Sequence, residues 1–181
     1  MIPISLSEKA LELYEELTIE FDIIFQPWQK NYCKVYQENK VATICYNPLI
    51  DKEESIAHEL LHIWFRKFGI SLGNHIYLST RNDHKLNKFL NKFLCDSITN
   101  YCEHFKIYPK YIEMGYSPGK FLSDGLSVKI SLIGLKLIIL RYLGRYLSSS
   151  INFYIGSLFS ILADHADNNY SLHHKILKKK R

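Results

Sequence analysis

The stretch EESIAHELLHIW, residues 53–64, places two histidines four positions apart, with a glutamate directly after the first. Apolar residues recur around them at helical spacing, and acidic residues gather at the start, where a helix dipole favours negative charge. The segment DKEESIAHELLHIWFRKF therefore predicts a helix, with Asp51 as N-cap and with Gly69 at its end.

The two histidines predict a metal site. Positions i and i+4 lie on one face of a helix, so His58 and His62 can direct their imidazoles at a single ion. Glu59 lies about 100° further round the axis, where a base can take a proton from water activated by the metal. The pattern His-Glu-x-x-His is the zincin signature. The alternative is a chance match in a core helix, but burying these polar groups without a partner costs free energy.

A catalytic zinc ion normally takes three protein ligands, so a third is required. The long helix predicted at about 86–105, ended by Tyr108-Pro109, carries Glu103 and His104 side by side. Neighbouring helical residues point about 100° apart, so at most one of them reaches the ion.

The apolar stripe of that helix favours the histidine. It centres near Leu90 and Tyr101, contains His104 and leaves Glu103 on the polar side. We predict His104 as the third ligand, with Glu103 as the alternative. Asn100, one turn before His104, is a candidate for hydrogen bonding to the ligands.

The remaining chain predicts a mixed α+β fold. A first helix capped by Ser5 or Ser7 precedes three β-type segments, DIIFQPW, YCKVYQ and VATICYN, expected to form a meander with a hairpin turn at ENK. We expect GISLGNHIYLSTRND to be a loop and PKYIEMG to form one or two helical turns closed by Gly115. Two helices are predicted near the C-terminus, at about 127–148 and 151–166.

Length and composition favour one domain. The chain has 181 residues, 47% of them hydrophobic, enough for a substantial core. We assign 1–125 to the core and 126–181 to a helical extension packed on the same domain. The net charge of +5 is concentrated in a basic tail, 175–181, so the body gives no strong nucleic-acid signal.

The four cysteines match no zinc ribbon and no secreted disulfide framework. We interpret them as buried thiols in a reducing compartment. The N-terminus lacks the pattern of a signal peptide, and the most apolar run, ISLIGLKLIILRYLG, is short and interrupted by charges. These features predict a cytoplasmic protein without a membrane span.

The segments ESIAHELLHIWF and NYCEHFKIYPKYIEMGYSPGKF together resemble the ImmA/IrrE-type metallopeptidase-like proteins of bacteria, phages and mobile elements. The matching portion runs from about the hairpin to Phe121. The resemblance implies a zincin core, in which a small twisted sheet covers the active-site helix and its edge strand follows the cleft. It also implies a zinc peptidase with His58 and His62 as ligands and Glu59 as base. The family's third ligand is usually Glu, and the histidine favoured here departs from that pattern.

The sequence thus predicts a zinc-dependent peptidase acting on a peptide or protein. Tyr77, His75 and Tyr116 are candidates for stabilising the oxyanion. Two alternatives remain: a metal-stapled scaffold that binds a protein partner without catalysis, and a DNA-associated SprT-like protease, which only the basic tail supports. The C-terminal helices are a candidate surface for homo-oligomer formation.

Overall fold

The computed structural model describes residues 5–50, 52–69 and 72–121 of the chain. Within these ranges the fold is mixed α/β, with several helices and one small three-stranded sheet. The helices are α1 (Glu8–Thr18), α2 (Glu53–Arg66), α3 (Leu72–Thr80), α4 (His84–Phe89) and α5 (Lys92–Glu113), and the strands are β1 (Asp22–Pro27), β2 (Lys34–Glu38) and β3 (Val41–Tyr46). A short 3-10 helix, Pro118–Lys120, follows α5.

The sheet has the strand order β1-β3-β2. The predicted hairpin is confirmed, since β2 and β3 pair antiparallel through a two-residue turn in which Asn39 has φ 54°, a conformation that Asn tolerates better than most residues. The predicted meander is wrong, because β1 pairs with β3 in parallel. As expected for a central strand, most of β3 is buried, including Ala42, Ile44, Cys45 and Tyr46. The strand order places β2 at an edge of the sheet.

The core lies where α2 packs against α1 and the sheet. Nine of the fourteen residues of α2 are buried, so this helix is covered on most of its circumference. Burial of its apolar residues fixes the rotation of α2 about its axis, and thereby fixes where its polar residues point. The core includes Leu13, Leu17, Val35, Ile44, Ile56, Leu60, Leu61, Ile63, Ile107, Tyr111 and Phe121.

The segment after α2 differs from the prediction. The expected loop contains α3, whose Thr80 is buried and donates its hydroxyl to the Ile76 carbonyl one turn earlier. The expected long helix is two helices. α4 is capped by Asp83, whose side chain accepts from two backbone N–H groups, and α5 follows Asn91, whose side chain accepts from the Leu94 N–H. Both caps are polar residues of the type that begin helices.

The end of α5 also differs from the prediction. The helix was expected to stop before Pro109, yet it continues through this residue to Glu113. Pro109 is exposed, while Ile107 and Tyr111 on either side of it are fully buried. Burial of those two side chains outweighs the hydrogen bond that a proline cannot make. Gly115, with φ 94°, follows the helix and turns the chain as expected.

The described residues divide into two compact units, and the division passes through α5. Residues up to 69 and from 106 to 121 belong to one unit, and residues 72–105 belong to the other. The predicted boundary at 125, the C-terminal helices and the basic tail lie outside the described residues, as does Asp51. The prediction of Asp51 as N-cap of α2 is wrong, since Lys52 occupies that position. Across the described ranges, every helix is too short or too polar to cross a lipid bilayer.

Candidate metal centre

Helix α2 brings His58 and His62 together as its periodicity predicts. Both side chains are buried, and their Nε2 atoms lie 3.0 Å apart. At this separation either one ring donates its N–H to the other, or both lone pairs face one shared cation. The predicted pairing of the two imidazoles is therefore present in the structure.

The third histidine comes from α5. One nitrogen from each of His58, His62 and His104 lies within 4.8 Å of the nitrogens of the other two, and all three residues are buried. This buried three-histidine group can hold a metal ion. Glu103 is not a member of the group, although the resemblance implies a glutamate as the third ligand.

The predicted orientation of Glu103 is wrong. It was expected to face outward, but only 2% of it is exposed, whereas the apolar Phe105 is 52% exposed. The buried face of α5 continues past the predicted end of the helix to Ile107 and Tyr111. Glu103 and His104 lie four and three residues before Ile107, so both fall on that face.

The donor set is chemically suited to zinc. Neutral imidazole is a common zinc ligand, and a trio of histidines is a known catalytic ligand set. Two nitrogens at about 2.0–2.1 Å from a tetrahedral zinc ion lie about 3.3–3.4 Å apart. The 3.0 Å between the Nε2 atoms of His58 and His62 differs from this by a few tenths of an ångström, which a small rotation of either ring can supply.

Glu59 is held by the edge strand. Its Oε2 atom accepts the backbone N–H of Val35 at 2.8 Å, and the side chain is buried. Val35 is on β2, so this bond joins the sheet directly to the residue between the two histidines of α2. Because one carboxylate oxygen is anchored, the rotamer of Glu59 is fixed beside His58.

Aromatic rings enclose His58. The Phe121 ring lies 4.8 Å from the His58 ring, centroid to centroid, and the Tyr111 ring lies 6.3 Å from it. Phe121 and Tyr111 also contact each other edge to face at 5.1 Å, a favoured arrangement of aromatic pairs. This apolar wall restricts the orientations that the His58 imidazole can adopt.

The start of α2 is tied to the segment after α5. One oxygen of Glu53 accepts both the backbone N–H of Ser7 and the hydroxyl of Tyr116, each at 2.6 Å. Ser7 was predicted as a helix cap. It does occupy the N-cap position of α1, but its side chain makes no capping bond and instead contacts the Tyr116 hydroxyl at 3.0 Å.

These hydrogen bonds shift two pKa values in opposite directions. Burial alone would raise the pKa of the Glu53 carboxyl, but the bonds from Ser7 and Tyr116 outweigh it and lower that pKa. Burial, together with the bond to Glu53, raises the pKa of the Tyr116 hydroxyl. Tyr116 therefore remains a neutral donor that is engaged with Glu53, which argues against the oxyanion role considered for it.

The structure gives the positions of the other predicted site residues but does not show a role for them. Asn100 is half-buried on α5, one turn before His104. His75 is exposed and Tyr77 half-buried on α3. Val35 and Phe121 contact the site but were not predicted as part of it, because an apolar side chain in a strand or a turn carries no chemical signature of its role.

The prediction of buried thiols is confirmed for three of the four cysteines. Cys33, Cys45 and Cys95 are buried, Cys102 is partly buried, and none of the four forms a disulfide bond. Burial is the main cause of the raised pKa values of Cys45 and Cys95, so these thiols are less reactive than exposed ones.

In comparisons with known proteins, the chain matches no protein-family model, no curated protein and no solved structure.

Proposed function

We propose that this protein is a zinc-dependent peptidase whose metal is held by His58, His62 and His104. The observation that carries the proposal is the convergence of three buried imidazoles, with a carboxylate next to the first. A buried cluster of three histidines costs desolvation free energy that a shared cation offsets.

Zinc bound there would supply a Lewis acid that polarises a carbonyl and lowers the pKa of water toward about 7. Glu59 acts as the general base that accepts the proton of the attacking water and later returns it to the leaving amine. The bond from the Val35 N–H supports this role, because it anchors Oε2 and holds the carboxylate beside His58. Phe121 and Tyr111 orient His58 and exclude bulk water from its ring.

A peptide is the substrate class that the surroundings favour. β2 is an edge strand and its Val35 amide contacts Glu59, so an extended chain that pairs with this edge passes the base. Edge strands commonly bind peptides in this way.

This arrangement supports a zincin-like core, in which the sheet covers α2 and the strand β2 follows the cleft. We also propose that the protein acts in the cytoplasm, as its sequence predicts.

A non-catalytic metal-binding scaffold is the second candidate, and one observation favours it. His58, His62 and His104 are only 3%, 4% and 5% exposed, and Glu59 is 5% exposed. A structural metal site needs no access for solvent, whereas a catalytic one must admit water and substrate to an open coordination position. Peptidase activity therefore requires that the site opens when a substrate binds.

Two measurements on Glu59→Gln separate the candidates. Gln keeps a side-chain oxygen for the Val35 N–H but cannot act as a base, so a peptidase should lose hydrolysis while it retains zinc. Glu12→Gln, an exposed change on α1, is the matched control and should leave both properties unchanged. Hydrolysis of an unstructured protein such as casein at the wild-type rate by purified Glu59→Gln, or its absence from zinc-loaded wild type, contradicts the proposal.

A further inference from the structure

Aromatic residues and lysines alternate along the chain from β1 to β2. Trp28, Lys30, Tyr32, Lys34 and Tyr36 occupy every second position, and we call these five residues the lysine–aromatic strip. All five are described and lie in the same unit as α2 and the sheet. The metal site does not use any of them.

The first half of the strip is an ordered loop. The Lys30 ammonium lies 5.0 Å from the centroid of the Trp28 ring and 5.6 Å from that of Tyr32. The two rings meet edge to face at 4.8 Å, and the Trp28 indole N–H donates to the Tyr32 carbonyl at 2.8 Å. Cation–π contacts of this kind contribute about 0.5–1 kcal/mol each at exposed sites, so they restrict where the Lys30 charge can lie.

The second half of the strip lies on β2. Lys34 and Tyr36 are exposed, Tyr36 to 48%, and the Lys34 ammonium lies 4.8 Å from the Tyr36 ring centroid. Val35 between them is buried against the core. Because side chains alternate along a strand, Lys34 and Tyr36 face away from α2, on the outer face of the edge strand.

The charge of the strip selects its partner. Between Asp22 and Glu38 the sequence contains two lysines and no acidic residue. Both ammonium groups lie against rings but keep N–H donors that can meet a carboxylate. Nucleic acid fits less well, because the ammonium groups already cover faces of Trp28, Tyr32 and Tyr36 on which bases would stack.

The strip adjoins the base of the proposed reaction. Lys34 and Tyr36 flank Val35, whose N–H donates to Glu59. A peptide that lies along the β2 edge places alternate side chains beside those of β2 on the outer face, within about 5 Å. We propose that the lysine–aromatic strip binds an acidic segment of the peptide substrate, so that Lys30 and Lys34 determine specificity. This inference rests on the proposed peptidase function in one respect only: it takes the acidic segment to be part of a substrate.

Binding to the Glu59→Gln protein tests the inference without hydrolysis. The probes are a fluorescein-labelled peptide of alternating Glu and Ala residues, its Gln/Ala counterpart of equal length, and a labelled oligo(dT). We expect the Glu peptide to bind at least about fivefold more tightly than the Gln peptide at low salt, with the difference shrinking as salt rises. The double variant Lys30→Glu/Lys34→Glu should abolish the preference.

The matched control is Lys40→Glu/Lys85→Glu, which changes the net charge equally at two exposed lysines outside the strip and should keep the preference. Equal binding of the two peptides, equal effects of the two double variants, or tighter binding of oligo(dT) than of the Glu peptide overturns the inference. If the protein binds the acidic peptide but has no peptidase activity, the inference about the strip stands and only the peptidase proposal is refuted.

Discussion

The backbone N–H of Val35 donates to Oε2 of Glu59 at 2.8 Å, joining the edge strand β2 to the helix that carries the two histidines. The bond satisfies a backbone donor that is shielded from water. It gives Glu59 a structural task in addition to any chemical one.

Two substitutions of Glu59 separate these tasks. Glu59→Ala leaves the Val35 N–H without its acceptor, so we expect the free energy of unfolding to fall by about 1–3 kcal/mol. Glu59→Gln keeps an oxygen acceptor and should cost less. Urea denaturation of both variants measures the difference; equal stabilities would mean that the bond contributes nothing.

Phe121 is expected to stabilise both the core and the orientation of His58. It is 2% exposed and contacts the rings of His58, Tyr108 and Tyr111. Phe121→Ala should lower the free energy of unfolding by about 3–5 kcal/mol, and Phe121→Leu by less. If Phe121 also orients His58, folded Phe121→Leu should bind zinc more weakly than wild type in a chelator competition. Unchanged zinc affinity would limit Phe121 to a packing role.

The Glu53–Tyr116 hydrogen bond should make stability depend on pH. The folded-state pKa of Glu53 is lowered, so its contribution is present above the unfolded pKa and is lost as pH falls through the folded pKa. Tyr116→Phe removes one donor and should destabilise the protein most at neutral pH. The gap to wild type should narrow as pH falls below about 4.3, the ordinary pKa of a glutamate. A gap that is constant between pH 7 and pH 3 would contradict this assignment.

Pro109 provides a test of the continuous α5. If the helix runs through this residue, Pro109→Ala restores a backbone donor in an exposed helical position and should stabilise the protein by about 1 kcal/mol or more. Greater freedom of the unfolded chain opposes this by about 0.4–1 kcal/mol. Thermal unfolding monitored by circular dichroism measures the net change. A lower melting temperature would favour the helix end that the sequence predicted before Pro109.

Local periodicity was enough to predict α2, the β2–β3 hairpin and the pairing of His58 with His62. Each of these depends on residues a few positions apart, whose spacing determines which side chains share a face. The pairing of β1 with β3 could not be predicted in this way, since it depends on which strands are buried from both sides.

Glu103 shows where the predicted apolar stripe misplaces a residue of α5. The stripe spans residues of two helices, α4 and α5, and excludes Ile107 and Tyr111 because Pro109 predicts an earlier helix end. The buried face of α5 also includes Glu103, a charged residue that apolar periodicity places outside. The hydrogen bond between Val35 and Glu59 could not be predicted either, because a backbone amide makes it and every residue type except proline has one.

The most direct test of the central claim is the zinc content of purified proteins, measured by elemental analysis after dialysis against trace zinc. We expect about one equivalent in wild type and in Glu59→Gln, and a large loss in His58→Ala, His62→Ala and His104→Ala, with folding verified by circular dichroism. Glu103→Gln, a matched change next to His104, should retain zinc. A folded wild-type protein that takes up no zinc, or a His104→Ala variant that keeps a full equivalent while Glu103→Gln loses it, would contradict the three-histidine site.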